Sequence, residues 1–271
     1  MATELPGASR LDGVRGLAWL PRDRLLYLGS ESDSEVWQMD RDGSHRQQLT
    51  HLSGHSEDPS PSADGTVILF SHISYADNHV GVWRMNGDGS DARPITLSDR
   101  GTMGGEISPD GKWLISFSYE RGPAKVSIEG GNPVSLDPNG DYPAISADGR
   151  WIAFNSSDPK TNKPAIEIVA ADNRGPRRFL PFISESQVPA ASTLGSLPLH
   201  WTASGDAITY VRTKNGVSNL WSQPIDGGPA KQITNFTSGL IWRHAWSRDG
   251  KYLALARGTF SIDAVMLTDL R

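Results

Sequence analysis

The sequence predicts an all-β chain folded as a six-bladed β-propeller. Three observations carry that prediction: a short phrase that recurs six times, an apolar rhythm of two after each copy, and no sustained helical period anywhere. The clear copies are Ser62-Ala63-Asp64-Gly65, Ser108-Pro109-Asp110-Gly111, Ser146-Ala147-Asp148-Gly149 and Ser247-Arg248-Asp249-Gly250. Thr202-Ala203-Ser204-Gly205 and Leu20-Pro21-Arg22-Asp23 are degenerate copies. With positions 22, 64, 110, 148, 204 and 249 as anchors, the intervals are 42, 46, 38, 56 and 45 residues. Such a period suits one four-stranded blade per repeat.

Each strand of the repeat has its own signal. The first carries a mostly large apolar residue three before the anchor: Trp19, Pro61, Ile107, Ile145, Trp201 and Trp246. The Asp-Gly pair that follows suits a two-residue hairpin turn with positive φ at its centre. In the second strand, the position four past the anchor is Leu26, Ile68, Leu114, Ile152, Ile208 or Leu253. Two further on come Leu28, Phe70, Ser116, Phe154, Tyr210 and Leu255, with Ser116 the exception. That spacing places both positions on one strand face, the face expected to pack on the next blade. Val36-Trp37, Val82-Trp83, Leu220-Trp221 and, more weakly, Ile166-Glu167-Ile168 mark third strands. Asp42-Gly43, Asp88-Gly89 and Asp226-Gly227 turn the chain again, and fourth strands end at Leu49-Thr50, Ile95-Thr96 and Ile233-Thr234.

The expected blades are 16–51, 57–98, 103–137, 141–183, 198–236 and 243–271, in one domain spanning 1–271. The last repeat stops after three strands. Pro6-Gly7-Ala8-Ser9-Arg10-Leu11 parallels Gly228-Pro229-Ala230-Lys231-Gln232-Ile233, so residues 4–12 are expected to supply its fourth strand and close the ring. Closure removes exposed sheet edges.

The 28 Gly and 18 Pro among 271 residues suit a fold of short strands and turns, and the nine Trp fall mostly at expected blade interfaces. A net charge of −5 without a basic run argues against nucleic-acid binding. With no cysteine, disulfides, thiolate metal sites and cysteine nucleophiles are excluded. Met1-Ala2-Thr3-Glu4-Leu5-Pro6-Gly7 is not a signal peptide, and no apolar run reaches bilayer-spanning length. Direct membrane contact is not expected, and a monomeric domain is.

Ser108–Gly111 followed by Lys112-Trp113-Leu114, together with Val82-Trp83-Arg84-Met85-Asn86-Gly87-Asp88-Gly89-Ser90, resembles the TolB-type, WD-like propeller family. Residues 215–224 and 245–251 are similar to the C-terminal propellers of bacterial Ser/Thr kinases and winged-helix regulators. The resemblance implies a sensing or interaction module of a larger bacterial signalling protein, extracytoplasmic when the parent is membrane-tethered. It implies no catalytic residues, because the shared motif is structural.

In a propeller the inter-blade loops and the loops between second and third strands open on one end of the channel, where binding residues concentrate. The candidate ligand-binding residues there are His55, Asp58, Tyr142, His200, Arg243, His244, Tyr119 and Arg121. His51, His55, His72 and His79 lack metal-motif spacing, and Asn86–Asp91 reads as a turn and not a calcium loop, so neither metal nor cofactor is expected. No Gly-x-Ser-x-Gly elbow and no kinase motif is present. The insertion around 182–196 is expected to overhang the channel as a lid, or else to be a spacer. These features favour a non-catalytic module that binds a protein, peptide or small polar ligand at the channel mouth. The alternatives are a lyase or hydrolase acting on oligosaccharide through mouth His and carboxylates, and a purely structural domain.

Overall fold

The computed structural model describes residues 16–29, 34–96, 102–118, 121–181 and 199–259. These residues form antiparallel sheets in a β-propeller arrangement and no helix. Each of the first five sheets has four strands in sequence order. Blade 1 is Leu17–Leu20, Arg24–Gly29, Glu35–Asp40 and Gln47–Gln48, and blade 2 is Gly54–Pro61, Val67–Ser74, Val80–Asn86 and Arg93–Pro94. Blade 3 runs from Thr102–Ile107 to Val134–Ser135, blade 4 from Asp141–Ile145 to Arg178–Pro181, and blade 5 from His200–Trp201 to Lys231–Gln232.

The blade count departs from expectation. Five four-stranded blades are described where six were expected, and the sixth sheet holds two strands, Leu240–Trp246 and Leu253–Gly258. Its expected third strand near 262–268 and the closing segment 4–12 lie outside the described residues, as does the 182–196 insertion. The inner strand of blade 1 packs against those of both blade 2 and the sixth sheet.

The second-strand rhythm builds the inter-blade core. Leu26, Leu28, Ile68, Phe70, Ile152, Phe154, Ile208 and Tyr210 are all essentially inaccessible. One cluster joins Leu26, Leu28 and Leu49 of blade 1 to Ile68, Phe70 and Met85 of blade 2, as packing on the neighbouring blade requires. Ser116 is also fully buried, and it sits opposite Gly105 on the inner strand.

The Asp-Gly turns differ from the expected two-residue form. Gly149 has φ +71° and Gly65 +73°, but the Asp before each does not share the positive φ. The glycine N–H bonds the Ser carbonyl three residues back, at 2.8 Å for Gly149 and 3.0 Å for Gly65. This is a five-residue connection built on a four-residue Ser-x-Asp-Gly turn with a left-handed glycine. The serine explains the choice: Ser146 Oγ donates to Asp148 Oδ1 (2.6 Å) and accepts from Trp151 N–H (3.0 Å). In the degenerate fifth copy the carboxylate comes from Asp206, two residues late, and still reaches Thr202 Oγ1 at 2.8 Å.

Candidate functional site

The inner strands of all six sheets line one cavity of about 460 Å³. It runs from Asp58, Tyr142 and Arg243, at the register shifts of those strands, to Pro109, Ala147, Ala203 and Arg248 at their turns.

Position six before each anchor shapes the end away from the turns. It is Gly16, Asp58, Gly104, Tyr142 and Arg243 in the five described cases. Asp58, Gly104 and Tyr142 share a left-handed backbone, with φ 48°, 47° and 46°. Inner-strand register shifts there, between Glu57 and Ser60, Asp141 and Ala144, and Ile241 and Arg243, and opposite Ser116 and Phe117 in blade 3. A bulge re-aims the side chain it carries, here onto the channel.

The two glycines make room for Asp58. A Cβ on Gly104 would lie 2.7 Å from Asp58 Oδ2, and one on Gly16 would lie 2.4 Å from Pro59 Cδ. Past them, Arg243 Nη2 reaches Asp58 Oδ1 at 3.3 Å, joining the sixth sheet to blade 2. Arg243 is 6 % exposed and the Asp58 side chain 19 %. Burial pushes the Asp58 carboxyl pKa up, against the opposing pull of the Arg243 charge. Arg243 Nη1 donates to the Trp242 carbonyl, while its buried Nε has no hydrogen-bond partner among the described residues.

A second polar pair lies lower in the cavity. Glu106 Oε1 meets His200 Nδ1 at 2.8 Å, and Oε2 accepts the Ile145 N–H at 2.8 Å. Apolar walls complete the site: Phe117 and Tyr142 stack at 5.8 Å with planes 10° apart, beside Met103.

Of the eight residues selected from sequence, Asp58, Tyr142, His200 and Arg243 line this cavity. His244 does not. It is 1 % exposed, its Nε2 lies 3.0 Å from Thr209 Oγ1 of blade 5, and its ring meets that of His200 edge-on at 4.6 Å. Burial first, then the His200 charge, holds its pKa well below the usual imidazole value, so it is neutral near pH 7. His55 pairs with Glu57 at 3.1 Å, away from the cavity lining. Arg121 is exposed on the loop into the third strand of blade 3, bonded to the Pro133 carbonyl, and Tyr119 lies outside the described residues. Glu106 was missed. Its signal was position: it stands four before its anchor, as His200 does.

The fold and cavity define a β-propeller with a ligand-sized axial channel. No family model matches the chain. It is 33 % identical over 104 residues to the uncharacterized protein Atu1656 of Agrobacterium fabrum, covering 38 % of this chain and 35 % of that protein. It is 27 % identical over 134 residues to the Tol-Pal system protein TolB of Nitratidesulfovibrio vulgaris, covering 45 % of this chain and 28 % of that one. The chain thus spans about a third of the first relative's length and less than a third of the second's. An Agrobacterium tumefaciens structure assigned as a TolB superposes with a TM-score of 0.68 at 20 % identity, covering 91 % of this chain and 90 % of that one. An oligogalacturonate lyase in complex with manganese gives 0.62 at 10 % identity, covering 85 % and 69 %. The propeller is TolB-like in fold.

Proposed function

We propose that this protein is a non-catalytic recognition module that admits part of a protein, peptide or small polar ligand into the channel at the Asp58–Arg243 end. One observation carries the reading: a cavity of about 460 Å³ whose mixed lining comes from the inner strands of all six sheets. Pockets of roughly 300–1,000 Å³ with a few placed polar groups are the usual form of a ligand site. The TolB-like fold supports a protein or peptide as occupant. In this reading residues 4–12 complete a sixth blade and close the ring. The resemblance to kinase-linked and regulator-linked propellers supports a place in a larger bacterial signalling protein, on the outer side of a membrane.

The rival lyase or hydrolase draws less support. Both Glu106 oxygens are engaged, and among the described residues no three His, Cys, Asp or Glu side chains group as a metal site would require. Bound transition metal, with activity lost on His200→Ala, would decide for the enzyme.

Photo-crosslinking tests the reading. A crosslinking residue at Met103, inside the channel, is expected to capture a partner that one at exposed Val134 does not, and Arg243→Gln should weaken the capture. Equal capture at both positions would refute a channel site.

A further inference from the structure

We infer that the group received between Asp58 and Arg243 is a primary carboxamide, the side chain of an Asn or Gln on an inserted peptide. The inference rests on the channel end being the recognition site.

The first argument is what the ion pair leaves unused. Asp58 and Arg243 meet through one atom pair at 3.3 Å, not fork to fork, so neither group is saturated. Arg243 Nε is buried without a partner, in a side chain 94 % removed from solvent that lines the cavity. Asp58 Oδ2 lies against the space that Gly104 leaves open and receives no hydrogen bond from the described residues. The buried donor is costly unless a ligand supplies its complement, and the accessible Asp58 oxygen of the same ion pair is open to that ligand.

Charge selects among complements. The pair is already neutral, so a carboxylate or ammonium ligand would leave an uncompensated charge in a desolvated place. A neutral group that accepts from Arg243 and donates to Asp58 avoids that cost. The two functions must lie side by side on one edge. A trans peptide unit points its N–H and C=O in opposite directions, whereas a primary carboxamide presents an oxygen and an NH₂ together. Planarity also suits a cavity whose wall includes the stacked Phe117–Tyr142 pair.

The test is a titration of the full chain followed through the Arg243 Nε–H resonance. Four probes are compared: N-acetyl-glutamine methylamide, the matching glutamate and methionine compounds, and methyl galactoside. The glutamine probe should shift the resonance saturably in the millimolar range of a small fragment. The other three should respond at least about tenfold more weakly, lacking the paired donor and acceptor. Asp58→Asn should abolish that preference, and the wild-type comparison stands even if this variant is unstable. A response to the glutamate probe as strong as to the glutamine one overturns the inference in favour of an anion site, and one to the galactoside in favour of a sugar. No response to the glutamine probe while Met103 crosslinking persists overturns the carboxamide but leaves the channel reading intact. Loss of both removes the reading itself.

Discussion

A serine hydroxyl shared between a carboxylate and a backbone N–H organises four of the six inner turns. The hydrogen bonds from Ser62, Ser146 and Ser247 hold the carboxyls of Asp64, Asp148 and Asp249 at pKa values of about 2. These values lie below the unfolded aspartate pKa of about 3.9, so the stability they bring is complete above that pH and lost as pH falls toward 2. His244 adds an earlier acid step. Its pKa is lowered in the folded state, so the unfolded chain takes up the proton more readily and stability declines as pH drops below about 6.5. Denaturant titrations across pH should show both steps, and His244→Gln should flatten the first while leaving the second. At Gly149, φ is +71° and a new Cβ meets nothing nearer than 3.4 Å, so Gly149→Val would lose mainly backbone compatibility. The expected destabilisation is about 1–2 kcal/mol, read as a melting temperature lower by several degrees.

The inner strand shows which features of this chain were legible in sequence and which were not. Trp19, Trp201 and Trp246 stood out by position, and each donates its indole N–H to the preceding sheet: Trp19 to Ala245 O at 2.9 Å, Trp201 to Ala144 O at 3.1 Å, Trp246 to Thr209 Oγ1 at 3.1 Å. Trp201→Phe leaves the buried Ala144 carbonyl without that donor and should cost about 1–2 kcal/mol with an unchanged denaturant slope. Side-chain direction above these positions was harder to read. Strand alternation sends Arg243 and Ala245 to the channel and His244 between the sheets, but the bulge just before Arg243 resets the count. A list of polar residues near the mouth therefore mixed lining residues such as Asp58 with interface residues such as His244. Glu106 escaped notice because its pairing with His200 joins blades 3 and 5, and no short-range pattern encodes that.

At the scale of the whole molecule, the repeat period read five blades directly, because each is one local up-and-down sheet, while the sixth is described only as a two-stranded sheet. Completion of the last sheet was a matter of the two chain ends, and both lie outside the described residues. If 4–12 is the missing strand, deleting residues 1–12 exposes a sheet edge. It should then lower the unfolding free energy well beyond the ~1 kcal/mol of a typical point change. An unchanged melting temperature would count against closure.

The Arg243–Asp58 contact bridges 185 residues of sequence. Loop-closure entropy makes so distant a meeting one of the last to form during folding. If the channel end is the recognition site, a polypeptide still emerging from the ribosome carries only half of it. On that reading occupancy would certify finished assembly, and a saturating occupant should raise the thermal midpoint in proportion to the logarithm of its concentration.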